Sequence, residues 1–318
     1  MRMLSTSTIA SIVWIQISFI FCLVGNILVL YGTIRHKAVK LDKLSVWIVQ
    51  NLAVVDICSG VLTLLPILIT LYAGEKWVLG DKMCYAGTVY KYSFLVANLV
   101  LINGLTINKL QRCWFPFRSL GSKRRDKIIV TMTTIIIGLV PTVTFIYLVN
   151  VKKVKYVYFV DDQCFCSSNF KDNVESRYKT AEAVIGFALN VIPCLLLIVT
   201  NCLLILLAVL KTSRPINRQN LAVVIFVTIA FLIALLPYFV CYLIYPVWDG
   251  VETPGLRGAS FISAISMFAN PIVYFTTNET FRNFTMTSIR VRLLDFVPGL
   301  PVASSSRVGN LGSDDLGR

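Results

Sequence analysis

Residues 45–72 read SVWIVQNLAVVDICSGVLTLLPILITLY, an apolar run in which Asp56 is the one charged residue. The run exceeds the ~20 residues needed to span the hydrocarbon core of a bilayer. A carboxylate at mid-span costs about 2.5–3.5 kcal/mol on insertion scales, so it marks a functional interior. Six more apolar stretches flank this one, at roughly 8–34, 84–113, 127–149, 180–210, 220–245 and 258–277. They carry their own polar or kinking residues: Asn26, Lys91, Asn98 and the run Asn270-Pro271-Ile272-Val273-Tyr274. The pattern predicts an all-α membrane protein, a seven-transmembrane helix bundle with a polar centre.

Composition agrees with that reading. Hydrophobic residues make up 56% of the 318 and charged residues 14%. Mean hydropathy is +0.74, well above that of soluble domains. The seven spans and their loops account for nearly the whole length, so one seven-helix domain over 1–297 and a tail over 298–318 are expected. The first apolar run is too long for a signal-peptide core and no A-x-A site follows it, so it reads as a retained helix. No internal repeat suggests an inverted-repeat transporter.

A net charge of +14 invites a nucleic-acid reading, but the charge is segregated by loop. Arg35, Lys37, Lys40 and Lys43 follow the first span, Arg118, Lys123, Arg124, Arg125 and Lys127 the third, and Lys211, Arg214 and Arg218 the fifth. The alternate loops mix signs. Positive loops stay cytoplasmic, which places the N-terminus outside and the C-terminus inside. By this topology Cys84, Cys164 and Cys166 lie at or beyond the outer face, where disulfides persist. A bridge from Cys84 to Cys166, or to Cys164, would pin the loop before the fifth span over the bundle. Cys22, Cys58, Cys194, Cys202 and Cys241 lie within spans and read as small buried apolar side chains.

In order along the chain, Gly25-Asn26, Leu52-Ala53-Val54-Val55-Asp56, Trp77-Val78-Leu79-Gly80 ahead of Cys84, Pro193, Pro237, and Asn270 through Tyr274 followed by Phe281 form a specific series. On these residues the chain resembles the rhodopsin-like (class A) G-protein-coupled receptors from about Gly25 to Phe281. The resemblance implies that Asn98, Ser266 and Asn270 surround Asp56 and hold a sodium ion that favours the inactive state. Oxygen donors of this kind suit a hard cation. A protonated Asp56 bonded to Asn270 is the alternative. Pro193 and Pro237 remove helical hydrogen bonds and can serve as hinges, with Leu99 and Phe231 at the packing positions the family rearranges. The Trp usual two residues before Pro237 is Leu235 here.

A larger departure falls at the inner end of the third span. The family's Asp/Glu-Arg-Tyr is replaced by Asn108-Lys109-Leu110. Lysine keeps the charge but loses the planar donor fork of arginine. Asn108 and Asn217 are not acidic, so no ionic lock is available, and Asn201 stands where a tyrosine is usual. Two readings stay open, a loosened transducer interface or a receptor without G-protein coupling.

The amine receptors' aspartate in the third span is Lys91 here, which argues against monoamines and for a ligand with an acidic group. A snorkelling Lys91 is the bland reading. The lysine on which opsins carry retinal is Ala264, so no retinal cofactor is expected. Lys91, Tyr92, Tyr238, Tyr242 and Ser260 are the expected ligand-binding residues, with Tyr90 and Tyr245 beside them. The sequons at Asn278 and Asn283 fall on the inner side and should be unmodified. Phe281, Phe284 and Ile289 with Arg282, Arg290 and Arg292 read as a short amphipathic helix eight on membrane lipid. Ser304, Ser305 and Ser306 lie in a tail expected to be disordered and are candidate phosphorylation sites for arrestin binding.

His36 is the lone histidine, so Ser-His-Asp and metal-hydrolase arrangements are excluded and no enzyme is expected. The expected function is a plasma-membrane receptor that binds a small molecule or short peptide and signals to a heterotrimeric G protein. The rivals are a non-signalling partner or scavenger, and a small transporter or channel using Asp56 and Lys91 along a polar path.

Overall fold

The computed structural model describes residues 6–35, 43–74, 77–114, 127–137, 156–157, 167–168, 198–207, 225–237 and 261–296, with isolated positions at 139, 143, 192, 195, 196, 210 and 258. Among the described residues eight helices follow in chain order: α1 (Thr6–Arg35), α2 (Lys43–Tyr72), α3 (Gly80–Trp114), α4 (Lys127–Ile137), α5 (Ile198–Leu207), α6 (Ile225–Pro237), α7 (Phe261–Thr277) and α8 (Glu279–Phe296). Each predicted apolar stretch overlaps one of the first seven. Three segments, Thr6–Ile34, Lys43–Tyr72 and Val89–Lys109, are each long and apolar enough to cross a membrane; α4 to α7 are apolar but shorter over the described residues. Among the described residues, a pair of two-residue strands adds to the helices, with Tyr156 opposite Ser168 and Val157 opposite Ser167.

The solvent preference of α1 is inverted relative to a soluble helix. Ile9, Val13, Ile17, Ile20, Val24 and Ile27 recur every three or four residues and are 44–53% exposed. The opposite face buries Ser11, Ser18, Asn26 and Thr33. A helix with its apolar stripe outward and its polar stripe inward fits a hydrocarbon solvent, where buried polar groups must find partners inside the protein.

Small residues set how closely the helices approach. A Cβ added at Gly25 of α1 would lie 2.8 Å from Pro271 Cβ of α7. One added at Gly60 of α2 would lie 2.8 Å from Cys22 Sγ of α1. Gly60 also opens a π-helical turn, Gly60–Leu64, in which the Leu65 N–H reaches Gly60 O. Pro66 follows at once. Its ring would meet the carbonyl four residues earlier in a regular α-helix, and the widened turn relieves that clash.

α8 turns off α7 at Asn278, whose extended backbone ends one helix and whose side-chain Oδ1 accepts from the Phe281 N–H at 3.0 Å. That is an N-cap, filling one of the helix's orphan donors. Phe281 and Phe284 then pack over Gly32 of α1, the nearest ring atoms 3.1–3.2 Å from where a Cβ would sit. The Asn278 side chain, in a sequon expected to stay unmodified, lends its Oδ1 to this cap and is buried.

Gly25→Val or Gly60→Val should destabilise the protein by about 1–3 kcal/mol, the usual cost of overpacking. Gly87 lies in α3 with nothing within 4 Å of an added Cβ, so Gly87→Ala should stabilise by up to ~1 kcal/mol. Thermal unfolding midpoints of the purified proteins in one detergent check both signs.

Candidate functional site

Asp56 lies at the centre of the bundle and is fully buried. The regular first part of α2 carries it inward, beside Leu52, Ala53 and Ser59 on the same buried face. Asn98 of α3 donates through Nδ2 to Asp56 Oδ1 at 2.7 Å, and Asn270 of α7 donates through Nδ2 to Asp56 Oδ2 at 2.8 Å. One carboxylate thus fastens three helices. Hydrogen bonds to a charged group are worth about 1.5–3 kcal/mol. A carboxylate has about four lone-pair sites, so room for a further partner remains. The carbonyl oxygens of Asn98 and Asn270 have no partner among the described residues, nor has the Tyr274 hydroxyl.

A second clasp lies one layer away. Pro271 lacks an N–H, so the Met267 carbonyl loses its helical donor. Asn26 of α1 supplies one, its Nδ2 reaching Met267 O at 3.0 Å and Cys22 O at 2.9 Å. The backbone of α7 is tightened over the same stretch, with Ala264, Ile265, Met267 and Phe268 each bonding three residues back. Cys22 in turn donates from Sγ to Asp56 O at 3.2 Å. The α1–α2–α7 contact is therefore built on backbone carbonyls as much as on side chains.

Beside this layer is a cavity lined by Ser59, Lys91, Leu95, Asn98, Leu235, Ser263, Ser266 and Met267. A neighbouring cavity between α1, α2, α3 and α7 is lined by Ile15, Thr63, Ile67, Lys91, Phe261 and Ala264 among others. Lys91 borders both. The first cavity reaches the Asp56 layer through Asn98 and Ser266.

The family model "7 transmembrane receptor (rhodopsin family)" matches residues 25–274 of this sequence. The chain belongs to this family. The receptor is 24% identical to C-C chemokine receptor type 1 of Homo sapiens, over 92% of this chain and 84% of that one. It is 24% identical to galanin receptor 2b of Danio rerio, over 87% and 73%. It is 22% identical to cysteinyl leukotriene receptor 1 of Mus musculus, over 89% and 82%. Its fold is similar to that of squid rhodopsin, with a TM-score of 0.69 at 16% identity over 92% of this chain and 88% of that one. The family is one of multi-pass membrane signalling receptors and not of enzymes, as expected from the sequence.

The receptor's structure brings Asp56, Asn98 and Asn270 together. Ser266 lines the adjoining cavity with Asn98, and its hydroxyl donates to Ser263 O at 2.7 Å. Asn108, expected only to fail as an acid, is buried and donates to Ser45 Oγ of α2 at 2.8 Å. Lys109 is buried, at 6% exposure. Asn201, which stands where a tyrosine is usual, bonds through Nδ2 to Thr228 Oγ1 and so ties α5 to α6. Those residues border a small cavity with Leu99, Asn103 and Phe231, the predicted packing switch among them. Pro237 ends the described part of α6.

Of the predicted ligand residues, Lys91 faces the cavities, while the side chain of Tyr92 lies outside the described residues, as do Tyr238, Tyr242 and Ser260. The side chains of Cys84 and Leu110 and the whole of Cys166 lie outside them too. Sequence reasoning missed Ser59 and Ser263. Both were legible in principle, Ser59 three residues after Asp56 and Ser263 seven before Asn270, each on the inward face of its helix.

Asn26→Ala should cost about 1–3 kcal/mol, because it strands the Met267 carbonyl without a donor in an apolar interior. Asn51, whose Nδ2 caps only Trp47 O of its own helix at 2.7 Å, is the control, and Asn51→Ala should cost less. The comparison is of thermal midpoints in detergent at matched expression.

Proposed function

We propose that this receptor lies in the plasma membrane with its N-terminus outside, takes a small molecule or short peptide with an acidic group into the cavity at Lys91, and signals to a heterotrimeric G protein. The observation that carries the ligand class is a lysine bordering a polar cavity inside the bundle. An ammonium at the edge of such a cavity can pair with an acidic group on a ligand, and pockets between helices are the usual ligand sites of such folds. Tyr92, Tyr238, Tyr242 and Ser260 complete the pocket in this reading, and a Cys84–Cys166 disulfide holds the loop above it. The similar receptors are named for a chemokine, for galanin and for a cysteinyl leukotriene, and none of the three for a monoamine.

Asp56, Asn98, Ser266 and Asn270 would hold an allosteric sodium ion. The unpartnered carbonyl oxygens of Asn98 and Asn270 and the lone pairs of Ser266 fit a hard cation. When bound, the ion supplies positive charge at the one carboxylate of the layer. Asp56→Asn should abolish any sodium dependence of ligand affinity with surface expression near normal; a mutant that keeps that dependence would place the ion elsewhere.

Coupling runs through Asn108, Lys109 and Leu110, with Pro237, Asn270, Pro271 and Tyr274 as the moving parts. Arrestin would engage the tail beyond 298, and α8 would rest on membrane lipid. Lys109→Arg should raise nucleotide exchange on a G protein in receptor-containing membranes, because guanidinium offers more directional donors than ammonium. Equal or lower exchange at matched expression favours the other reading, a receptor fold that no longer couples.

The ligand reading is tested with an agonist found by second-messenger screening. Lys91→Gln should weaken it by about 2–5 kcal/mol, the range for breaking a desolvated charge pair. Neutralising the agonist's acid should harm the wild type far more than the mutant. Unchanged affinity in Lys91→Gln would reject the acidic-ligand pocket.

A further inference from the structure

The Asp56 hydrogen bonds join α2 to α3 and α7. A separate small cavity lies among α3, α5 and α6. Leu99, Ile198 and Phe231 are among its apolar walls, and Asn103, Asn201 and Thr228 are its polar residues. Asn103 and Asn201 are 5% and 2% exposed. Each amide has used its nitrogen and kept its oxygen. Asn103 donates through Nδ2 to Leu99 O of its own helix at 2.9 Å. A carbonyl only accepts, so the orientation of that amide is fixed. Asn201 donates through Nδ2 to Thr228 Oγ1. The carbonyl oxygens of both are buried and have no partner among the described residues. Two orphaned acceptors on one cavity call for an explanation, because buried polar groups in folded proteins nearly always find a partner.

We infer that this cavity is a binding site for one water molecule, which donates to Asn103 Oδ1 and Asn201 Oδ1 and so joins α3 to the α5–α6 pair. The chemistry of the site selects the occupant. Two acceptors call for a molecule with two donors. No acid lines the cavity, so a cation there would be buried without a counter-charge, which is costly. The centre of a water molecule has about 10 Å³ in which to move, room for a single one. A buried water makes about two to four hydrogen bonds, and the two amide oxygens supply the minimum.

The result is a tie across three helices that runs from Asn103 through water to Asn201 and on to Thr228. It differs from the Asp56 cluster because its central member can exchange. When α3 and α5 move apart, water can follow either amide, so neither oxygen is stranded. Two apolar side chains in their place would hold the helices by contact alone. Leu99 and Phe231 wall the same cavity, so any repacking of that pair changes the space the water occupies. The inference stands apart from the ligand and sodium readings above.

The test has two arms on the full-length receptor. The first is a structure in lipid nanodiscs at a resolution that shows single waters. Density between the two amides, about 2.8 Å from each oxygen, is the expected result. Six or more contacts near ~2.4 Å mark a hard cation instead, and ordered amides with nothing between them mark a dry cavity; either overturns the proposal.

The second arm is a double-mutant cycle read as thermal midpoints in one detergent. Asn103→Leu expels the water and strands Asn201 Oδ1, so it should lower the midpoint by about 2–4 °C. Asn201→Leu should lower it more, since it also gives up the bond to Thr228. The double variant strands neither oxygen, so its loss should be smaller than the two single losses added together. Asn103→Val serves if the leucine variant does not fold. In a dry cavity Asn103→Leu removes an orphaned oxygen and should raise the midpoint. A raised midpoint, or losses that simply add, overturns the water bridge.

Discussion

A carboxylate in an apolar bundle must be satisfied by the protein around it, and in this receptor Asp56 is satisfied by neutral amides drawn from two other helices. Its burial in low-dielectric surroundings is costly unless each oxygen finds a donor. That requirement fixes the rotation of α3 and α7 about their own axes, since Asn98 and Asn270 must both point at one side chain. The packing around the cluster follows. Leu52, Leu99 and Tyr274 are buried in the same core, and the glycine contacts of α1 and α2 let the helices close to the distance the amides need.

The second organising constraint is a missing hydrogen bond. Pro271 leaves the Met267 carbonyl without its helical donor, and Asn26 crosses from α1 to fill it. Pro66 distorts α2 in another way, by widening the turn before it. Each proline thus creates a local defect in backbone bonding. One defect is repaired by a partner helix and the other is absorbed by a π-turn. Defects of this kind are where a helix can change shape at low cost, and both border the polar layer.

At the Lys109 end, where the sequence offers no acid–base lock, neutral amide bonds join the helices. Asn108 is tied to Ser45 of α2, and Asn201 to Thr228 of α6. A neutral amide bond contributes about 0.5–1.5 kcal/mol, less than a desolvated ion pair loses when broken. Holding α5 against α6 by such a bond leaves a weaker restraint than an acid–base lock, and it is insensitive to screening by salt.

Seven apolar stretches, one carboxylate among them and NPIVY near the end were enough to read a helical membrane bundle from sequence, because a ~20-residue apolar run and a buried charge have few other physical explanations. The residues of the Asp56 cluster were legible too, through the resemblance of their spacing to a family pattern. The partners were not. Nothing in the chain says that Asn26 serves Met267, since a proline announces the orphaned carbonyl but not the donor that comes from 241 residues away. Nor does the sequence say that Asn201 meets Thr228, that Asn278 caps a helix, or that Ser266 gives its proton to Ser263 O. Hydrogen-bond direction depends on which groups lie within about 3 Å of one another, and only the tertiary packing decides that.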